Sequence, residues 1–352
     1  MSQIKSITIQ NFKGIQNLHL DFTYENQENE ILDNIILYGI NGSGKSSILE
    51  ALYLPLYCAN IYHVNSIVNR FDDTEINDYI INLFALDNEW IYKNENSFSI
   101  TIDIIDENKI KSLTLSYMTS NELHWNITEN ISNDLGNGLV FLSSYRLLKP
   151  STIQKAGDWG EFEQLKQKKI KDWFNRGFQN KYKYTDEHFF PSLSLQFEND
   201  YKVIKQLLVN LITDKKVGVL SKENTQILDK IHEAFSIFFP NKKFLEQLSR
   251  DSMFQDYRLM IENEDGSIVD LDQLSSGERE IIAFFTTLCS REYDLKILII
   301  DEPELHLHSK WQSILLPAIH KLFPNVQLFM ATHSKEIHQS ASSSELFELI
   351  KE

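Results

Sequence analysis

Gly39-Ile40-Asn41-Gly42-Ser43-Gly44-Lys45-Ser46 fits the pattern G-x-x-x-x-G-K-[S/T] at every fixed position. It directly follows the apolar run Ile35-Ile36-Leu37-Tyr38, the strand-then-helix context that a phosphate loop requires. Glycines let successive backbone N–H groups turn inward and cradle phosphate oxygens. The Lys45 ammonium then belongs on the β- and γ-phosphates of a nucleotide, and the Ser46 hydroxyl on Mg²⁺. A second constellation closes the apolar run Ile297-Leu298-Ile299-Ile300 with Asp301 and Glu302. Asp301, at the strand tip, can hold the Mg²⁺ shell. Strand alternation turns Glu302 the other way and makes it a candidate general base for an attacking water. The third is Leu274-Ser275-Ser276-Gly277-Glu278. A Ser-Gly turn opening a helix favours an anion. Taken alone, Ser275 with Glu278 three residues on is equally a helix-capping box.

These groups need elements to hold them. Ile4 to Gln10 alternates apolar and polar and reads as a half-buried strand, with Asn17 to Phe22 as its hairpin partner. Gln27 to Glu30 reads as a polar loop. A helix begins near Lys45, and residues 61–95 are helical with polar breaks. Residues 97–127 contain several alternating runs and predict an antiparallel meander. Leu139-Val140-Phe141-Leu142 is a buried-type strand. Residues 151–250 carry helical spacing with many lysines and aromatics, and read as a helical insertion. From Tyr257 the chain reads strand, turn at Asp265-Gly266, strand, and a helix from Gly277. The strand Ile297–Ile300, a helix from His308 to Leu322, and a strand from Gln327 to Met330 follow. Ser340 to Ser344 reads as a frayed end or the start of a last short helix. The expected division is 1–150, 151–255 and 256–352.

The chain has 352 residues, 42% hydrophobic and 24% charged, which is an ordinary globular composition. No stretch approaches the roughly 20 apolar residues of a membrane helix. The N-terminus lacks a signal-peptide core, and only Cys58 and Cys289 are present. A disulfide scaffold and a zinc cluster are therefore excluded, and a cytoplasmic protein is expected. The net charge of −16 is uneven: −10 over residues 1–150, +3 over 151–260 and −9 over 261–352. Such a surface repels phosphate backbones in bulk, so any polyanion contact should use the middle segment.

The motif set resembles the ABC-type ATPase heads of the SMC, RecF and OLD group, closest to stand-alone OLD-like ATPases of the AAA family. Ser275 stands 26 residues before Asp301, and Leu274 to Glu278 matches that group's signature L-S-G-G-[E/Q] with Ser276 in the first glycine place. Asp301-Glu302-Pro303-Glu304-Leu305-His306-Leu307-His308 resembles the D-E-P-E-x-x-L-H-P run of the OLD-like branch, with Ser309 replacing the proline. Ala331-Thr332-His333-Ser334 resembles the switch-histidine turn. Ile9 to Ile15 resembles the opening strand-turn, where a basic residue, here Lys13, approaches the nucleotide. The resemblance spans residues 4 to 334. It implies an α/β ABC-type P-loop head with a mixed sheet, flanking helices, an antiparallel β-subdomain and a helical insertion. It also implies ATP and Mg²⁺ as ligands. The ATP contacts would come from Lys13, Asn41, Gly42, Ser43, Gly44, Lys45, Ser46 and Ser47, with Ser46 and Asp301 on the metal. Two copies would close head-to-tail on ATP, with Ser275, Ser276 and Gly277 of one facing the γ-phosphate held by the other. Glu302 would activate water and His333 would sense the γ-phosphate.

The chain departs from the group in places. The loop that usually supplies a glutamine reads Ser143-Ser144-Tyr145-Arg146 here, so a second Mg²⁺ ligand stays open. His306 and His308 are more simply loop residues than a metal pair. The insertion is too short, and lacks the heptads, for a long coiled coil. Its cluster Lys166 to Lys171, followed by Trp173-Phe174, suits nucleic acid or a solvated helix face. Only 19 residues follow His333, so no TOPRIM nuclease is expected in this chain. The expected function is a switch that controls a separate nuclease or toxin in bacterial anti-phage defence, as a homodimer or higher oligomer. The alternative is a RecF-like clamp on duplex DNA.

Overall fold

The computed structural model describes residues 2–24, 27–68, 72–83, 86, 88–93, 95–106, 109–120, 122–127, 139–142, 200–251, 256–290, 295–305 and 307–350. Its centre is a parallel sheet of five strands: β5 (Asn34–Gly39), β9 (Leu139–Leu142), β13 (Ile297–Asp301), β14 (Gln327–Thr332) and β15 (Leu346–Leu349). They lie in the order β15-β5-β14-β13-β9. Parallel strands covered on both faces need no polar alternation. Every residue of β13 and of β14 is accordingly buried.

The alternation survives in what each face touches. Ile35, Leu37, Phe141, Ile297, Ile299 and Phe329 join one core cluster. Their neighbours Ile36, Val140, Leu298, Ile300, Leu328 and Met330 join another. The first cluster contains helix α1 (Lys45–Val68) and an antiparallel sheet. That sheet has the order β2-β1-β6-β7-β8, built from β1 (Gln3–Phe12), β2 (Ile15–Asp21), β6 (Ser97–Asp106), β7 (Lys109–Met118) and β8 (Glu122–Ile127). Helix α1 is wedged between two sheets, so its residues from Ile48 to Leu56, Glu50 and Pro55 apart, are apolar almost all round. A helix buried on every side must be. Gln327, 1% exposed, stitches the sheets together. Its side chain accepts from Ile4 N at 2.7 Å and donates to Ile4 O at 2.8 Å and Leu32 O at 3.2 Å. Helix α2 (Asp73–Leu83) completes this side.

The second cluster packs helices α3 (Asp200–Val217), α4 (Lys222–Phe238), α5 (Ser276–Cys289), α6 (Ser309–Leu322) and α7 (Lys335–Ser340) under the other face. A three-stranded antiparallel sheet joins them, made of β10 (Lys243–Asp251), β11 (Asp256–Glu262) and β12 (Ile268–Asp270). Among the described residues, no helix is long and apolar enough to cross a membrane, and Cys58 and Cys289 are buried and form no disulfide.

Two expectations need correction. Lys243–Asp251 is a strand, not helix. Its pairing with β11 shifts register between Phe244 and Leu248, and that bulge hides the period-2 pattern. Gln27–Ile31 is strand β4, paired with β3 (Thr23–Tyr24) in a small ribbon too polar to announce itself. Of the two readings of Ser340 to Ser344, the last short helix is met by a 3-10 turn at Ser343–Glu345, and beyond it Leu346–Leu349 adds to the edge of the parallel sheet beside β5. Ser143–Arg146, Lys166–Lys171, Trp173 and His306 lie outside the described residues.

Candidate nucleotide site

Strand β5 delivers the glycine turn to the C-terminal end of the parallel sheet, where ligands of α/β folds gather. Gly39, Gly42 and Gly44 have φ of +147°, +77° and +93°. At Gly39 a Cβ would lie 2.5 Å from Leu349 O and 3.2 Å from Ser43 Oγ, so the turn closes only around a hydrogen. Asn41 and Gly42 stand exposed at the tip. Lys45 is buried, and its Nζ donates to Gly39 O and Ile40 O, both at 3.0 Å. Burial pulls its pKa below the usual lysine range, against the opposing pull of the Glu302, Asp301 and Glu304 carboxylates. Ser46 Oγ donates to Asp301 Oδ1 at 3.1 Å, which joins the two expected Mg²⁺ ligands across 255 residues of chain. Ser47 lies half-buried in the first turn of α1.

The Ser43 hydroxyl is buried, with no hydrogen-bond partner among the described residues. A buried orphan hydroxyl is costly unless a ligand completes it. Orphan hydroxyl, glycine cradle, buried ammonium and the Ser46–Asp301 pair together fit a triphosphate with Mg²⁺.

Strand alternation is not what turns Glu302. The strand ends at Asp301, and Glu302 has φ +47°, a conformation a non-glycine residue rarely adopts. Its amide donates to Ala331 O at 2.9 Å, so the sharp turn is held against β14. His333 is exposed just beyond the end of β14, on the same side of the sheet. Glu304, to which the sequence analysis assigned no role, accepts from Thr332 Oγ1 at 2.8 Å and from His333 N at 2.6 Å. The repeated acid in Asp301-Glu302-Pro303-Glu304 was its only signal.

Lys13 stands at the hairpin turn between β1 and β2. It is ion-paired to Glu50 of α1, and its Nζ lies 4.1 Å from the centre of the Trp90 ring. Burial raises the Glu50 pKa, and Lys13 opposes it.

The serine turn belongs to a separate element, the start of α5. Ser275 is the N-cap: its Oγ accepts from Glu278 N at 3.3 Å, and its own N donates to Glu278 Oε2 at 2.9 Å. Burial would raise the Glu278 pKa, but bonds from Lys242 and Ser275 bring it below the usual range. Ser275 and Ser276 are exposed, while Gly277 is buried. Three residues upstream of Ser275, Asp272 takes a 2.8 Å bond from Lys205 of α3, which is 0% exposed. His308 caps α6, its Nδ1 accepting from Lys310 N at 3.2 Å. Among the described residues, no cluster of His, Cys, Asp and Glu forms a metal site of its own.

Residues 35–337 match the family model described as "AAA domain, putative AbiEii toxin, Type IV TA system". The chain belongs to this family. It is an AAA-domain ATPase. It is 25% identical to the "Retron Vc95 probable ATPase" of Vibrio cholerae serotype O1 biovar El Tor, an alignment covering 98% of this chain and 73% of that one. It is 24% identical to the "Retron Ec83 probable ATPase" of Escherichia coli, covering 98% and 71%. The Smc head domain of Pyrococcus furiosus, solved with an extended coiled coil bound to the C-terminal domain of ScpA, shares the fold. Its TM-score is 0.55 at 13% identity, covering 97% of this chain and 92% of that one.

Proposed function

We propose that this chain is a nucleotide-driven switch in an anti-phage defence module, in which two copies close head-to-tail on ATP and thereby control a separate effector protein, a nuclease or toxin. The observation that carries this reading is the division of the site. Lys45, Ser46, Asp301, Glu302 and His333 gather at one end of the parallel sheet, while the serine turn is presented, exposed and rigidly capped, on α5. A triphosphate held by the first set would still present its far side, which Ser275, Ser276 and Gly277 of a second copy are suited to cover.

In this reading the phosphate loop, from Asn41 to Ser47, and Lys45 hold the phosphates, with Lys13 at the edge of the site. Ser46 and Asp301 hold Mg²⁺, which supplies charge neutralisation on the phosphate oxygens. Glu302 takes the proton of the attacking water. His333 senses the γ-phosphate. Positioning and charge complementarity provide most of the rate in such transfers. Closing then depends on nucleotide, because the second copy gains contacts only while the γ-phosphate is present. The effector part rests on the family description, which names a toxin and a toxin–antitoxin system, and on relatives named as ATPases of retrons. A DNA clamp would need the basic cluster Lys166–Lys171, which lies outside the described residues.

The test is Glu302→Gln, which keeps the binding groups and removes the base. Light scattering coupled to size exclusion should show its mass doubling with Mg²⁺ and ATP, and not with ADP. A mass unchanged by any nucleotide would refute the switch.

A further inference from the structure

We propose that Glu304 is a positioning residue that clamps the switch turn, so that His333 is held in register with Glu302. The proposal deepens the ATPase reading of this site and rests on it. Both oxygens of the Glu304 carboxylate are engaged: Oε2 accepts from Thr332 Oγ1 at 2.8 Å and Oε1 from the His333 amide at 2.6 Å. A carboxylate whose two oxygens are both accepting bonds holds structure in place, which separates its task from that of Glu302, two residues earlier on the same loop.

The clamp continues in both directions. Thr332 Oγ1 also accepts from Ser334 N at 2.9 Å. Ser334 Oγ donates to Gln312 Oε1 at 2.8 Å, and Gln312 Nε2 donates back to Leu307 O at 2.8 Å in the loop that carries Glu304. Thr332 is fully buried and Ser334 nearly so, whereas His333 between them is exposed. Backbone and flanking side chains are therefore locked, and the imidazole alone is free to project. Glu302 N to Ala331 O, at 2.9 Å, ties the same two segments one step earlier. The loop after β13 and the turn after β14 thus form one body, with the candidate base and the candidate sensor on its surface. Charge-assisted bonds of this length are about twice as strong as neutral ones.

Small displacements of a reacting group cost rate far more than they cost binding; about 1 Å can cost on the order of 100-fold. Glu304→Ala should therefore lower kcat for ATP by about 10- to 100-fold. KM should stay within about twofold, because the phosphate loop is untouched. Glu304→Gln keeps an acceptor oxygen for the His333 amide, and most of the rate should return. Two readouts separate positioning from loss of fold. In a His333→Ala background, Glu304→Ala should cost less than about threefold further, since residues that act as a unit are not additive. By hydrogen exchange, the His333 amide should lose protection in Glu304→Ala while amides of β13 keep theirs. Full multiplication of the two rate losses, or unchanged exchange at His333, would overturn the clamp. A wild-type protein that binds ATP without turning it over would sink the ATPase reading instead, and the exchange measurement would still decide the clamp.

Discussion

Gly39→Ala places one carbon where the phosphate loop and the last strand meet. The new Cβ would sit 2.5 Å from the carbonyl oxygen of Leu349, in β15, and 3.2 Å from Ser43 Oγ. Ordinary contact between such atoms begins nearer 3.4 Å, and the obstacle is backbone of a paired strand rather than a flexible side-chain end. Either β15 moves away from β5 or the loop rotates. Overpacking of this kind costs about 1–3 kcal/mol. A non-glycine residue held at φ +147° adds about 1–3 kcal/mol. The expected loss is therefore about 2–6 kcal/mol. Gly266→Ala is the control, because Gly266 also has positive φ, +78°, but meets nothing within 4 Å. It should cost only the backbone term, about 1–2 kcal/mol. Urea unfolding with matched slopes measures both. A fluorescent ATP analogue should also show weakened binding in Gly39→Ala alone, because Ser43 and the loop amides move with the new carbon. Equal stability and equal nucleotide affinity in the two variants would refute the argument that this glycine exists to let the loop and β15 touch.

Gln327→Leu should destabilise the fold by about 3 kcal/mol or more, because it leaves Ile4 N, Ile4 O and Leu32 O buried without their partner. A change under about 0.5 kcal/mol in urea unfolding would show that the two sheets do not depend on it. Asp106 is held below the ordinary carboxylate range by bonds from Lys111 at 2.8 Å and Ser2 at 2.5 Å. A lowered folded-state pKa gives stability that is present above the unfolded value, about pH 4, and is lost as pH falls through the folded value. Asp106→Asn should therefore cost about 1–2 kcal/mol at pH 7 and progressively less as pH falls below about 4, as read by thermal unfolding across that range. A cost independent of pH would place the effect in packing instead.

The candidate site was easier to propose from sequence than the fold around it. Phosphate-loop glycines, the Asp301-Glu302 pair and the Ser275 cap announce themselves because each needs particular residue types at fixed spacing, and local sequence carries that information. The Ser275–Glu278 box appears in the structure as read. The buried strands β5, β9, β13 and β14 were legible as short apolar runs, for the reason that both their faces are covered. What escaped depended on partners distant in sequence. Strand β10 is defined by β11 and broken by a bulge, β15 is four residues added to an edge, and β4 is polar. The left-handed turn at Glu302 overrode the alternation argument because strand periodicity stops where the strand does. Glu304 stood in a matched run without a role, and Gln312 looks like any polar residue, until the fold brings Thr332, His333 and Ser334 to them.

The balance of charge at the sheet end makes a last demand. Lys45 is the buried cation of the cradle, and the carboxylates of Asp301, Glu302 and Glu304 all act on it. A triphosphate without a metal would bring further negative charge toward three carboxylates. At roughly 8 Å and an effective dielectric of about 20, each such repulsion is about 2 kcal/mol. Binding of ATP should therefore fall steeply when EDTA removes Mg²⁺, by more than loss of a single ligand bond would give. Asp301→Asn separates the two roles of that carboxylate by the sign of its effect. It should weaken Mg²⁺–ATP binding, because a metal ligand is lost. It should strengthen binding of metal-free ATP by about tenfold or more, because a repelling charge is gone. Calorimetric titration of both proteins, with Mg²⁺ and with EDTA, reads the four affinities. If Asp301→Asn weakened binding equally in both conditions, the carboxylate would be acting through the geometry of the Ser46 hydrogen bond and not through charge, and the electrostatic account of this site would be wrong.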